Sequence, residues 1–155
     1  MRNLASLEKV KMTIEKRPPP NAAEIEKVFP GVCSGARPIY FCYGDIIYNP
    51  SGTIIPPSLI AHEMVHSLQQ EALGRDLWWN EYLWAPTFRY GQELEAHRVE
   101  YEHYRSTNNR AFSRRYLVSV AERLAGPLYG GLVRKREALA AIKQEDIYEL
   151  DTSAT

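Results

Sequence analysis

The chain has almost no cysteine: Cys33 and Cys42 are the only two in 155 residues, and they do not form a Cys-x-x-Cys pair. That excludes a disulfide scaffold and a typical zinc knuckle, and leaves two reduced, partly buried thiols as the expectation. There is no apolar run of membrane-spanning length, and the first dozen residues mix charged with apolar side chains and lack a signal-peptide core. A cytoplasmic protein with no membrane partner is therefore expected. Neither sign of charge is in excess, with 19 Lys and Arg against 19 Asp and Glu, so no global field draws the chain to nucleic acid or an acidic surface. Arg110, Arg114, Arg115 and Arg134-Lys135-Arg136 read as solvated helix faces, because no aromatic stacking platform is interleaved with them. Internal repeats are absent, and low complexity is confined to Pro18-Pro19-Pro20.

Apolar and charged fractions are ordinary for a globular chain, and the length suits one domain over 1–155, burying roughly 68–70% of the surface that the unfolded chain exposes. Residues 3–16 carry Leu4, Leu7, Val10, Met12 and Ile14 in a loose helical pattern that ends before the stiff triple proline. Asn21 is placed to cap a short helix with Glu24, and Pro30-Gly31 to stop it. Over 39–55, the runs Ile39–Tyr43, Ile46–Asn49 and Thr53–Ile55 are rich in β-branched and aromatic residues and are separated by turn signals. They read as short antiparallel strands. Helices are expected over 59–73, 88–106, 112–125 and 132–143, with residues 145–155 as a frayed acidic tail. The fold class is α+β: mainly helical, with a small antiparallel sheet ahead of the first long helix. The aromatic cluster from Trp78 to Tyr90 reads as core packing beneath the helices.

The first long helix carries His62-Glu63-Met64-Val65-His66. With Ser58 as N-cap and Gly74 as stop, it is well bounded. Its histidines lie one turn apart, about 40° from each other, a spacing that suits two ligands of one zinc ion. Glu63 lies beside them, placed to take a proton from a metal-bound water. Ile60, Met64 and Leu68 form an apolar seam away from the histidines. Catalytic zinc needs a third protein ligand. The best source is the helix bearing Gln92-Glu93-Leu94-Glu95-Ala96-His97, on which Glu93, His97, Glu100 and Tyr104 share one face. Glu93 is the leading ligand, with Glu95 and His97 as alternatives. Glu95 points about 200° from Glu93, so the two cannot serve together.

His62-Glu63-Met64-Val65-His66 followed by Glu93-Leu94-Glu95-Ala96-His97 resembles the gluzincin branch of zinc metallopeptidases. Residues 40–105 are also similar to small phage-encoded proteins of that type. The resemblance implies a zincin-like fold, zinc held by His62, His66 and Glu93, Glu63 as general base, and a polypeptide substrate. A strand ahead of the motif helix would line the cleft, here Thr53–Ile55 or Ile46–Tyr48. The family carries an aspartate where this chain has His97, and that aspartate accepts a hydrogen bond from a ligating histidine. His97 could do so only as a neutral imidazole, or could bind the metal itself. His97, Tyr104, Tyr101 and Tyr82 are the possible oxyanion donors. The rival reading is a catalytically silent, zinc-stabilised binding protein of the phage assembly or host-takeover kind. The sequence does not specify an oligomeric state.

Overall fold

The computed structural model describes residues 2–144, so the tail expected over 145–155 lies outside the described residues. A mainly helical fold carries a small sheet ahead of the motif helix. The helices are α1 (Ala22–Val28), α2 (Pro57–Leu73), α3 (Arg75–Trp84), α4 (Pro86–Thr107), α5 (Arg110–Leu124) and α6 (Lys135–Lys143). The strands are β1 (Thr13–Glu15), β2 (Phe41–Tyr43) and β3 (Ile46–Tyr48). No helix among the described residues is long and apolar enough to cross a membrane.

β2 and β3 form the expected antiparallel hairpin, with Phe41 opposite Tyr48 and Tyr43 opposite Ile46. The third strand is a correction. It is β1, parallel to β3, and not Thr53–Ile55. The helix expected over 3–16 is only a 3-10 turn at Leu4–Leu7, capped by Asn3, before the chain extends. The signal is in the spacing: from Val10 the apolar residues recur every second position, through Met12 and Ile14, which is the strand period. Thr53–Ile55 finds no strand partner because the buried Asn49 side chain donates to the Thr53 carbonyl (2.6 Å) and holds the segment as a loop. Ile54 is left 94% exposed.

Helix starts also differ from their expected caps. α2 begins at Pro57, and Ser58 lies inside the first turn, buried and not capping. Proline is suited to that first position because the N–H it lacks has no partner in the helix. α4 likewise begins at Pro86, one residue before the expected cap Thr87. Asn21 makes no capping hydrogen bond to α1. Gly74 does end α2: it adopts φ +97°, and its N–H reaches the Gln70 carbonyl at 2.8 Å. Asn109 caps α5 through Phe112 N (2.9 Å), and α6 starts three residues later than expected. Both cysteines are free and buried.

Three apolar clusters surround the centre of the molecule. One joins α1, the hairpin and α3 through Ile25, Phe41, Tyr48, Trp78 and Leu83. A second joins α5 and α6, and a third joins α2 to α4. The hairpin is fastened to α2 by one residue. Gln70 Nε2 donates to the Cys42 carbonyl (2.9 Å), and its Oε1 accepts from Gly44 N (2.8 Å). A buried amide thus takes the place of a neighbouring strand along part of the β2 edge. Gln70→Ala removes both partners and should cost about 2 kcal/mol. Urea unfolding should show a lower midpoint with an unchanged slope.

Candidate metal centre

The seam between α2 and α4 is made of small and β-branched residues: Ala61 and Val65 meet Ala96 and Val99, all buried. Ile60, Met64 and Leu68, the expected seam, are only half-buried. Short side chains at 61, 65 and 96 let the two helices approach closely, which longer residues would prevent. One position further round each helix lie His62 and His66 on α2, and Glu93, His97 and Glu100 on α4. All five are buried. The close approach of the helices therefore brings the polar faces together.

His62 Nε2 lies 3.0 Å from His66 Nε2 and 3.2 Å from Glu93 Oε2, and His66 Nε2 lies 3.3 Å from Glu93 Oε1. A tetrahedral zinc ion with ligands about 2.0–2.1 Å away spaces them roughly 3.3–3.4 Å apart. The two Nε2 atoms and the two Glu93 oxygens, at 3.0–3.3 Å, come close to that spacing. His62, Glu93 and His97 also each offer a ligand atom within 4.8 Å of the others, and His97 Nε2 lies 3.6 Å from Glu93 Oε2. The structure thus brings together the expected triad of His62, His66 and Glu93, with His97 beside it.

The tautomers follow from the surrounding partners. Gln69 Nε2 donates to the Gln92 carbonyl and to Glu95 Oε1, both at 3.1 Å; neither oxygen can donate, so the amide orientation is fixed. Its Oε1 then faces His66 Nδ1 at 2.8 Å and can only accept, so Nδ1 carries the proton and Nε2 the lone pair. Arg2 steadies Glu95 from outside at 2.7 Å. Glu95, an alternative ligand by sequence, thus reaches the site only through Gln69. On the other side, Glu100 Oε1 lies 3.0 Å from His97 Nδ1. It also lies 2.7 Å from His62 Nδ1, a charge-pairing distance although that ring is turned off the line of an ideal hydrogen bond. Glu100 therefore supplies the carboxylate that the resemblance places at position 97. Sequence reasoning put Glu100 on the correct face and gave it no role; its i+7 spacing from Glu93 was the available signal.

Three buried carboxylates, Glu63, Glu93 and Glu100, surround these imidazoles. Burial works against a charge on His62, but Glu93 and Glu100 outweigh it and hold its pKa well above the ordinary value. Burial likewise opposes ionised Glu93 and Glu100. The histidines prevail, lowering Glu93 well below the carboxylate range and Glu100 to about 2. The local field favours a cation, as a ligand set made of carboxylates and imidazole lone pairs requires. Glu63 is the exception: burial pushes it up, and the two histidines only partly offset that.

A cavity of about 790 Å³ opens onto this cluster. Its apolar lining includes Ile25, Phe29, Val32, Ile39 and Leu59, and His62, Glu63, His66, Glu93 and His97 are among its polar lining residues. The Glu63 carboxylate makes no hydrogen bond among the described residues and borders the cavity. Of the expected oxyanion donors, His97 and Tyr82 line the cavity, while Tyr101 and Tyr104 do not. Tyr104 stacks on Tyr116 with centroids 4.0 Å apart, and Tyr101 packs with the α5–α6 cluster. Tyr82 already donates to Glu93 Oε1 at 2.6 Å and stacks on Trp78, whose own N–H is bound to Gln92. Sequence reasoning missed Tyr129. It follows a Gly126-Pro127 break, is buried, borders the cavity, and its hydroxyl has no partner among the described residues.

The cavity rim also corrects the expected cleft strand. Asp45 and Asn49 direct their backbone bonds to β1, so within β3 it is Ile46 and Tyr48 that bond to β2; β3 is the central strand with both edges occupied. Residues 37–42, ending in β2, border the cavity instead. By the same alternation the backbone of Cys42 faces outward from the sheet.

A zincin-like cluster of histidine and glutamate able to hold a metal ion is the class of site that this geometry defines. No protein-family model, no curated protein and no solved structure matches the chain. The site therefore rests on its own chemistry. Gln69→Leu should leave His66 free to turn or change tautomer and weaken zinc binding by about 10–100-fold. Competition with a chromophoric chelator would measure it, and an unchanged affinity would contradict the role given to Gln69.

Proposed function

We propose that the protein is a zinc-dependent peptidase of the gluzincin type that cleaves an extended polypeptide at the α2–α4 crossing. The observation that carries this reading is the convergence of His62, His66 and Glu93 at tetrahedral spacing beside an unpaired, buried Glu63 that faces a cavity. Bound zinc would supply Lewis acidity and lower the pKa of water toward about 7. Glu63 takes the proton of the attacking water on its carboxylate and returns it to the departing amine nitrogen. Burial raises its pKa, which makes it a better proton acceptor than a surface glutamate.

The substrate backbone runs beside residues 37–41, which border the apolar cavity, and its side chains enter that cavity. Tyr82 is committed to Glu93, so Tyr129 is the donor for the developing oxyanion. Arg89 sets both tyrosines, donating to the Tyr82 and Leu83 carbonyls at 2.6 and 3.1 Å and to the Leu128 carbonyl at 2.9 Å.

Glu63→Gln should keep its zinc by elemental analysis and lose about 10²–10⁴ of the cleavage rate on a broad peptide library. Full activity in that variant would sink the mechanism. Zinc retention without any cleavage by the wild type would favour the silent binding protein instead. For the wild type, kcat/KM should fall on acidification at a higher pH than an ordinary carboxylate, because the base works ionised and its pKa is raised. Tyr129→Phe should lower kcat by about 10²-fold with zinc content unchanged.

A further inference from the structure

We propose that His97 is a fourth protein ligand, so that the ion is held by three imidazole Nε2 atoms and the Glu93 carboxylate. This rests on the metal-site reading above and does not depend on peptide cleavage. His97 is 4% exposed and stands on α4 one turn after Glu93. Its Nδ1 faces Glu100 Oε1 at 3.0 Å, and its Nε2 faces Glu93 Oε2 at 3.6 Å.

Each protonation state can be weighed on those two contacts. With the proton on Nδ1, the ring donates to Glu100 at hydrogen-bond distance, and its Nε2 lone pair points at a carboxylate oxygen. Two buried acceptors then face each other without a donor, an arrangement that repels unless a cation lies between them. With the proton on Nε2, the contact to Glu93 is too long for a good hydrogen bond, while the Nδ1 lone pair meets Glu100 at 3.0 Å, which is worse. With both nitrogens protonated, the second N–H would face Glu93 Oε2 at 3.6 Å, too long for a good hydrogen bond. The first state is the best of the three, and it makes Nε2 a metal donor.

The same logic holds for His66 against Gln69, while His62 Nδ1 lies within 2.7 Å of Glu100, and all three Nε2 atoms lie within 3.6 Å of a Glu93 oxygen. Glu93 is suited to this because its two oxygens divide the work, Oε1 toward His66 and Oε2 toward His62 and His97. The ligand class is a divalent first-row ion that accepts three nitrogens and a carboxylate. An open position then exists only in a five-coordinate shell. This donor set is richer in nitrogen than the one that the resemblance implies.

X-ray absorption on the zinc-loaded wild-type chain counts imidazoles from their multiple scattering. Three supports the proposal and two overturns it. His97→Asn should weaken zinc binding by more than the roughly 10–100-fold typical of an outer-shell partner, with the melting temperature of the chelated protein changed little. Equal zinc affinity in variant and wild type overturns the proposal. Cleavage separates this from the hydrolase reading: three imidazoles without cleavage leave the ligand set standing and remove the peptidase, and two imidazoles with cleavage do the reverse. A wild type that binds no zinc overturns both.

Discussion

The packing of α2 against α4 gathers three carboxylates and three imidazoles in one buried place, a cluster able to hold a metal ion. Ala61, Val65, Ala96 and Val99 bring the helices together, and that approach buries Glu63, Glu93 and Glu100 among His62, His66 and His97. Removing an ion from water costs several kcal/mol even after relaxation, so three carboxylates at this depth need compensation. The imidazoles provide part of it, His66 and His97 with their Nδ1 atoms turned to Gln69 and Glu100 and their Nε2 atoms toward Glu93. What remains is a group of acceptors that could hold a metal ion. The apolar seam and the metal site are therefore one construction, in which neither helix face is buried without the other.

Outside the ligands, each partner removes one freedom. Glu95 and the Gln92 carbonyl fix the Gln69 amide, Gln69 fixes the His66 tautomer, and Glu100 fixes His97 while lying within charge-pairing distance of His62. Trp78 holds Tyr82 by stacking, and Tyr82 holds Glu93. Glu63 is the buried carboxylate at the cavity for which no such partner exists among the described residues. A side chain left free where its neighbours are tied is available to accept a proton. Its raised pKa and its position at the cavity point the same way.

The motif was legible because helical spacing alone sets His62, Glu63 and His66, and Glu93 follows from the need for a third ligand on a helix. Gly74 and the β2–β3 hairpin were legible for the same reason: each is dictated by residues adjacent in the chain. The errors arose where a local pattern was resolved by a distant partner. Thr13–Glu15 became a strand because β3 had a free edge, and Thr53–Ile55 did not because Asn49 took its carbonyl. The seam was misplaced because Ala61 and Ala96 carry little hydrophobic signal, although their small size is what sets the helix spacing. Glu100 and Tyr129 gain their roles only through contacts across the fold, which no spacing in one element reveals.

Arg89 shows how far the site reaches into the fold. Its buried guanidinium takes the last carbonyls of α3 and the Leu128 carbonyl beside Tyr129, groups that would otherwise lack partners at a helix end and a turn. Gly130 makes the turn possible: it adopts φ +83°, and a Cβ there would lie 3.0 Å from Pro86 Cβ, at the start of α4. The turn is thus pressed against the helix that carries Glu93, His97 and Glu100. One cation therefore registers Tyr82 and Tyr129 against a common carboxylate, the first by a direct hydrogen bond and the second across the cavity. Two phenols of the same chemistry differ in one respect: Tyr82 already has an acceptor, and the Tyr129 hydroxyl has none among the described residues.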